Sequence, residues 1–140
     1  MRPTADELAE AAITIRRGLQ EDLRYGPDVT TVATVPAEAT TVAAMVAREP
    51  VVAAGVDIAL LVLDEVIGQG YQVIERVTDG ARLAAGDALL RVQAPTRGLL
   101  TAERTMLNLV CHLSGIATAT AAWVDAVEGT GARIRDTRKT

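Results

Sequence analysis

Basic side chains near the end of the chain, and one further upstream, are the residues whose types best suit chemistry. Arg138 and Lys139 follow Thr137, beyond the last apolar residue, Ile134, and Lys139 is the only lysine among 14 basic residues. Arg104 lies early in a long helical pattern. Arginine and lysine donate charged hydrogen bonds, and the arginine fork suits a carboxylate. These residues indicate an anion-binding site, with two alternatives open: a solvated basic tail, and a surface ion pair for Arg104.

The other reactive residue types indicate neither a nucleophile nor a metal cluster. Cys111 and His112 are the only cysteine and the only histidine, so a disulfide framework or a pair of histidine ligands is excluded. We expect Cys111 to be a small core residue and His112 to be structural or solvent-facing. Asp22 and Asp28 are expected to cap or brace a loop. The Gly-Thr-Gly run at 129–131 precedes a predicted strand, so it predicts a turn and not a phosphate loop.

The element that must position Arg104 is a long helix in the last third of the chain. Its apolar residues form two adjoining stripes, so we expect it to pack on more than one side. The stripes comprise Leu100, Leu107, Val110 and Val124, and Met106, Leu109, Leu113, Ile116, Trp123 and Val127. Ser114 and Gly115 interrupt the good helix formers, which indicates a kink or a close backbone contact. Gly129 and Gly131 are expected to stop the helix.

A short strand is predicted over 132–136, and it would carry Thr137, Arg138 and Lys139 at its C-terminal end. In α/β proteins, ligands bind at the C-terminal ends of parallel strands. This placement is the physical reason for treating these three residues as candidate binding residues.

Earlier segments predict two further helices. Thr4 and Glu7 fit a capping box, so a first helix is expected to run to about Glu21. The sequence at 25–28 breaks it, and 29–39 is expected to be a loop or short extended structure. A second helix is predicted over 56–67.

The predicted strands are short and separated by turns. Residues 41–48 alternate, with Val42, Ala44 and Val46 on one face, as in a half-buried strand. Other strands are predicted over 51–54, 71–77 and 89–94, with turns at 79–80 and 86–87. Together these elements predict a small mixed sheet with helices on one face.

Composition restricts the function further. The chain has 140 residues, 49% of them hydrophobic, no phenylalanine and a net charge of −4, which predicts a modest aliphatic core and argues against a general nucleic-acid binder. The most apolar stretch, 51–63, is too short to span a bilayer and contains Gly55 and Asp57. We expect a cytoplasmic protein that binds neither nucleic acid nor membrane.

The motifs of the last third also carry a resemblance to a known family. TAERTMLNLVCHLSGIATATAAWVDAV at 101–127, followed by ARIRDTRKT at 132–140, resembles the quinolinate phosphoribosyltransferases, which act in de novo NAD synthesis. EDLRYGPDVTT at 21–31 and DGARLAAGDALLRVQAPTRGLLTAER at 79–104 are also similar to that family. The resemblance covers nearly the whole chain from Glu21 onward.

The resemblance implies a fold, an activity and a set of binding residues. The fold would be α+β: an N-terminal α/β sandwich (hammerhead-like) domain over 1–128, then the first strand of an α/β barrel at 129–140. The activity would be phosphoribosyl transfer to quinolinate with decarboxylation. The substrate-binding residues would be Arg104, presented to the neighbouring subunit of a homodimer or larger oligomer, and Thr137, Arg138 and Lys139. Mg²⁺ would accompany phosphoribosyl diphosphate, with neither its ligands nor a catalytic residue in this chain.

Two alternatives remain open. The spacing D-G-x-x-L-x-x-G-D-x-L-L, which begins at Asp79, is similar to the hammerhead modules of biotinyl- and lipoyl-type domains. Such carriers need a lysine at a hairpin tip, whereas the only lysine here is Lys139, so a non-catalytic interaction module is the form of this alternative that remains. A related nicotinate phosphoribosyltransferase is the other.

Overall fold

The computed structural model describes residues 3–135 and 137. Four helices and five strands occur in these residues. In chain order they are α1 (Ala5–Asp22), α2 (Val29–Thr34), β1 (Thr40–Val46), β2 (Val51–Val52), α3 (Val56–Ile67), β3 (Gln72–Arg76), β4 (Arg82–Leu83), β5 (Ala88–Pro95) and α4 (Thr96–Ala126). Helices and antiparallel strands are mixed along the chain, so the domain is α+β.

Capping hydrogen bonds explain where α1 and α3 begin. The Thr4 side chain accepts a hydrogen bond from the Glu7 backbone, and the Glu7 carboxylate accepts one from the Thr4 backbone, which confirms the capping box. The start of α3 is held from elsewhere, since the Asp79 carboxylate accepts hydrogen bonds from the backbone N–H groups of Gly55 (2.9 Å) and Val56 (3.0 Å). The predicted turn at 79–80 therefore also caps a helix.

The α2 helix corrects the prediction of a loop or extended structure over 29–39. Its sequence is rich in β-branched residues with low helix propensity, so other contacts must stabilise it. Asp28 caps its N-terminus by accepting a hydrogen bond from the Thr31 backbone at 3.0 Å. At the other end, the Arg97 guanidinium donates to the carbonyls of Val35 (2.8 Å) and Val32 (3.0 Å). Both of these Arg97 hydrogen bonds come from α4, which is more than 60 residues away in sequence.

The main sheet has the order β1-β5-β3, and all its pairs are antiparallel. Pairing places Ala43 opposite the buried Val92 and Met45 opposite the buried Leu90, so these residues line the core face of β1. The face predicted from Val42, Ala44 and Val46 is the outer one, with Val42 half exposed (50%). The predicted strand forms, and these three residues do share one face, but alternation alone cannot show which face is buried because β1 is apolar on both. The strands β2 and β4 form a separate two-stranded ladder.

The core lies between the inner face of the main sheet and the helices α3 and α4. As the composition predicts, its buried apolar residues are all aliphatic: Ile15, Ala47, Ala53, Val56, Ala59, Val62, Leu63, Leu89, Leu90, Val92, Ala94, Leu99, Ala102 and Val110. The two helices approach closely at Gly98, where an added Cβ would lie 2.7 Å from Cγ1 of Ile67. Small residues thus set the spacing between the helices.

The α4 helix is continuous over 31 residues, so the chain is helical through Ser114 and Gly115. Of the two predicted possibilities, the close backbone contact is the one that forms. The Ser114 hydroxyl accepts from the Ala54 N–H (3.0 Å) and donates to the Ala54 carbonyl (3.1 Å). Thr118 accepts from the Val52 N–H at 2.9 Å. These contacts dock the start of α3 and the strand β2 on the middle of α4.

The two predicted apolar stripes of α4 are more buried in the first part of the helix than in the last part. Its buried residues, Leu99 to Ser114, all lie in its first two thirds. Ile116, Trp123 and Val124 are 53%, 67% and 47% exposed, which corrects the expectation of packing along the whole length. The α4 helix is also long enough to span a membrane, and one of its 18-residue windows has a mean hydropathy of 1.3. The core helices of soluble proteins can meet the same two criteria.

Beyond α4 the predicted strand is not formed. The helix ends at Ala126, before Gly129 and Gly131, which both have positive φ. Residues 132–135 are exposed and adopt no regular structure, because a strand needs a partner for its backbone groups and none of the described strands lies alongside. Asp136, Arg138 and Lys139 lie outside the described residues. The proposed boundary between 1–128 and 129–140 stays a prediction.

Candidate anion-binding site at Arg104

Arg104 lies on the third turn of α4, and its side chain is 74% exposed. Its guanidinium faces the end of α1, where its Nε atom lies 3.3 Å from Oδ1 of Asp22. The surface ion pair that the sequence left open for Arg104 therefore exists. An ion pair of this kind leaves most of the guanidinium accessible to a ligand.

The segment between α1 and α2 forms a cleft with α4. The cleft has a volume of about 730 Å³, and Arg104 and Asn108 line one wall while Tyr25, Pro27 and Asp28 line the other. The EDLRYGPDVTT segment and the long helix, far apart in sequence, thus meet around one arginine.

The loop wall of the cleft is held at both ends. Asp28 caps α2, and its hydrogen bonds with the Thr31 hydroxyl and backbone N–H hold the pKa of the Asp28 carboxyl below its usual value. This confirms the capping role expected for Asp28. Arg97 fixes the far end of α2 to α4. At the rim, Tyr25 is 90% exposed, and the Arg24 guanidinium lies 4.6 Å from the centre of its ring.

The charges in the cleft limit what it can bind alone. Among the residues that the structure describes, three carboxylates, Asp22, Asp28 and Glu103, line it together with one cation, Arg104. A ligand with two or more negative charges would be repelled by that set. Arg104 is therefore suited to reach outward and complete an anion site with basic groups from elsewhere.

An apolar groove of about 290 Å³ adjoins the cleft. It runs between the inner face of β1 and α4, with Ala43 and Met45 on one side and Leu99 and Met106 on the other. The cleft and the groove share Leu100, Glu103 and Leu107. A charged surface and an apolar surface therefore lie side by side on the same flank of α4.

Other candidate residues are placed apart from this cleft. Thr137 is exposed and has no regular structure, while Arg138 and Lys139 lie outside the described residues, so whether they approach Arg104 stays a prediction. Cys111 is exposed, which corrects the expectation of a core residue, because the buried side of α4 falls on Val110 and Ser114 instead. His112 is solvent-facing, which is one of the two alternatives predicted for it. Within residues 3–135 and 137, no three His, Cys, Asp or Glu side chains cluster to hold a metal.

Two contributors to the site were not predicted from the sequence. Asp22 was expected only to brace a loop, and Arg97 was not considered. Asp22 did carry a signal, since it ends a helix whose last turn contains no basic residue, which is an unfavourable position for a carboxylate. Arg97 carried none, because its partners are backbone carbonyls more than 60 residues away.

The fold and the site define a class: a small α+β domain whose long helix presents an exposed arginine beside a cleft. Comparison with known proteins then gives the family. The family model described as quinolinate phosphoribosyl transferase, N-terminal domain, matches residues 28–114. The chain belongs to that family.

Individual relatives agree with this assignment. The nicotinate-nucleotide pyrophosphorylase [carboxylating] of Mycobacterium leprae is 70% identical over 135 residues, covering 96% of this chain and 48% of that protein. A probable enzyme of the same name from Methanothermobacter thermautotrophicus is 35% identical, covering 90% and 44%. The structure of NadC from Streptococcus pyogenes matches with a TM-score of 0.87 and 33% identity, covering all of this chain and 48% of that one. The chain spans about half the length of the relatives it matches.

Proposed function

We propose that this chain is the N-terminal half of a quinolinate phosphoribosyltransferase. The enzyme would combine quinolinate with phosphoribosyl diphosphate and release nicotinate mononucleotide, carbon dioxide and diphosphate. The observation that carries the proposal is the close identity, over nearly the whole chain, to a relative named for this reaction. The exposed arginine on α4 supplies a group of the required type at a position that the family resemblance indicates.

The substrates explain why arginine and lysine are needed. Quinolinate carries two adjacent carboxylates, and phosphoribosyl diphosphate carries several phosphate charges. In the proposed reaction the pyridine nitrogen forms a bond to the anomeric carbon of ribose as the bond to diphosphate breaks. The nitrogen, now cationic, stabilises the electron pair that stays on C2 as the C2 carboxylate departs as carbon dioxide, and this pair then takes up a proton. No protein nucleophile is required, so the enzyme contributes binding, positioning and electrostatic stabilisation.

Within this proposal, Arg104 binds a quinolinate carboxylate in the active site of the neighbouring subunit of a homodimer. Its high exposure, the acidic lining of its own cleft and the adjoining apolar groove support a position at a subunit boundary. Thr137, Arg138 and Lys139 are proposed to bind substrate in their own subunit. The protein is proposed to act in the cytoplasm.

Mg²⁺ is proposed to arrive with phosphoribosyl diphosphate, where it would neutralise charge on the leaving diphosphate. The described residues do not fit a magnesium site, because no three of their His, Cys, Asp or Glu side chains come together closely enough to hold an ion. We propose, as the family resemblance implies, that the ligands of the metal lie outside this chain.

The test uses the protein of full family length that contains this chain, with release of labelled carbon dioxide from the C2 carboxylate of quinolinate as the readout. Arg104→Ala should raise the KM for quinolinate by about 10- to 100-fold, as expected for loss of one charge-assisted contact. Arg16→Ala removes another exposed, ion-paired arginine elsewhere (55% exposed, 2.8 Å from Glu65) and should leave KM unchanged. No carbon dioxide release by the unaltered protein would refute the proposed activity.

Mixing variants tests the subunit assignment. At quinolinate concentrations well below the KM of the variants, Arg104→Ala and Lys139→Met should each show little activity. An equal mixture of the two should regain about a quarter of normal activity, because half of the dimers are hybrids and each hybrid has one intact site. Hybrids as inactive as their parents would show that Arg104 acts within its own subunit or not at all.

A further inference from the structure

Asp22 occupies a position that is unfavourable for a carboxylate. It is the last residue of α1, it follows Glu21, and the last turn of that helix contains no basic residue. The free carbonyl groups at a helix C-terminus carry partial negative charge and repel an anion. Where a residue breaks a local rule of stability, a functional reason is a common explanation.

The cation that balances Asp22 comes from another helix. Nε of Arg104 lies 3.3 Å from Oδ1 of Asp22, and the two side chains are 74% and 26% exposed. An ion pair with so exposed an arginine adds little to folding stability. Stability alone therefore explains neither the acidic residue at the end of α1 nor its contact with Arg104.

The geometry of the contact suggests what it does. Nε is the guanidinium nitrogen nearest to the Asp22 carboxylate, at 3.3 Å, and the contact is an ion pair. Within residues 3–135 and 137, none of the guanidinium nitrogens of Arg104 forms a hydrogen bond. The two terminal nitrogens provide the fork that binds a carboxylate in a bidentate manner. An exposed arginine samples many rotamers, and fixing one of them before the ligand arrives reduces the entropy lost on binding.

We propose that Asp22 is the positioning residue of Arg104: its charge attracts the Nε side of the guanidinium, at 3.3 Å, and so leaves the terminal nitrogens preset for a carboxylate of the substrate. This inference rests on the proposed function, because it takes the ligand of Arg104 to be the pyridine dicarboxylate. Asp22 itself touches no substrate. Its contribution reaches the reaction only through Arg104.

The test compares Asp22→Asn with Glu21→Gln in the protein of full family length. The two substitutions remove the same charge from adjacent positions, but Glu21 forms no ion pair among the described residues. Asp22→Asn should raise the KM for quinolinate about three- to tenfold, with kcat and the KM for phosphoribosyl diphosphate within twofold of normal. Its melting temperature should be unchanged or slightly higher, because an unfavourable charge leaves the end of α1. Glu21→Gln should leave all kinetic constants unchanged.

The double variant Asp22→Asn with Arg104→Ala distinguishes positioning from a separate effect. It should bind quinolinate no more weakly than Arg104→Ala alone, because Asp22 has nothing left to position. A normal quinolinate KM for Asp22→Asn, or a lower melting temperature with normal kinetics, would overturn the positioning role while leaving Arg104 as a binding residue. If Arg104→Ala itself binds quinolinate normally, the proposed role of Arg104 fails and this inference fails with it.

Discussion

The two parts of α4 both carry apolar residues, but their surroundings differ. From Thr96 to Ser114 the helix buries five side chains against α3, β2 and the sheet, while from Gly115 to Ala126 it buries none. Apolar residues occur in both parts, including Val110, which is 2% exposed, and Val124, which is 47% exposed. A hydrophobic stripe therefore shows which side of a helix can be buried. Whether that side is buried depends on whether another element packs against it.

Matched valines test this difference most strongly. Val110→Ala should lower the free energy of unfolding by about 2 to 3 kcal/mol, because it removes buried methyl groups and leaves a cavity. Val124→Ala should change it by less than about 0.5 kcal/mol. Denaturant unfolding at low protein concentration measures both. Equal costs for the two variants would show that the second part of α4 is packed after all, and a cost for Val124→Ala that grows with protein concentration would indicate burial by association.

Matched hydroxyl residues give a smaller effect. Ser114→Ala removes the partner of both backbone groups of Ala54, so it should cost about 1 to 2 kcal/mol in the free energy of unfolding. Thr120→Ala, at an exposed position in the second part of α4, should be within about 0.5 kcal/mol of neutral. Amide hydrogen exchange at Ala54 should become faster only in Ser114→Ala. Unchanged exchange there would mean that Ser114 does not dock the start of α3.

Two glycines of α4 should respond with opposite sign. Gly98→Ala places a Cβ 2.7 Å from Cγ1 of Ile67, and overpacking should outweigh the gain in helix propensity to leave a net loss of about 1 kcal/mol. Gly115→Ala meets no atom within 4 Å, so it should stabilise the helix by about 0.5 to 1 kcal/mol. A lower melting temperature for Gly98→Ala and a higher one for Gly115→Ala, each relative to the unaltered protein, would confirm the difference. A stabilising Gly98→Ala would show that α3 and α4 are less tightly packed than this spacing indicates.

Much of the helical structure could be predicted because its signals are local. The capping box at Thr4 and the apolar run before Gly68 lie within the elements that they define, and α1 and α3 formed where they indicate. The face of β1 could not be predicted from alternation, because its register with β5 decides it. The helix α2 depends on Arg97, which lies 62 residues beyond Val35.

The residues of the candidate site likewise include some that the sequence predicts and some that only the packing of the helices reveals. The sequence singled out Arg104 and, through the family resemblance, suggested its role. The pairing of Arg104 with Asp22 spans two helices and could be found only from their packing. The predicted strand at 132–136 had suitable residues, but a strand also needs an edge to pair with, and no local pattern provides one.

The central place of β5 in the sheet has a consequence for synthesis on the ribosome. β5 pairs with β1 on one side and β3 on the other, and it is the last of the three strands to be translated. At ~5–20 residues per second, roughly 40 residues separate the completion of β1 from the start of β5, a wait of about 2 to 8 s. The same delay separates the emergence of the two strands from the ribosome, and for that time β1 is apolar on both faces and without its native partner. A chaperone that binds short apolar segments would therefore meet this chain first at residues 40–46.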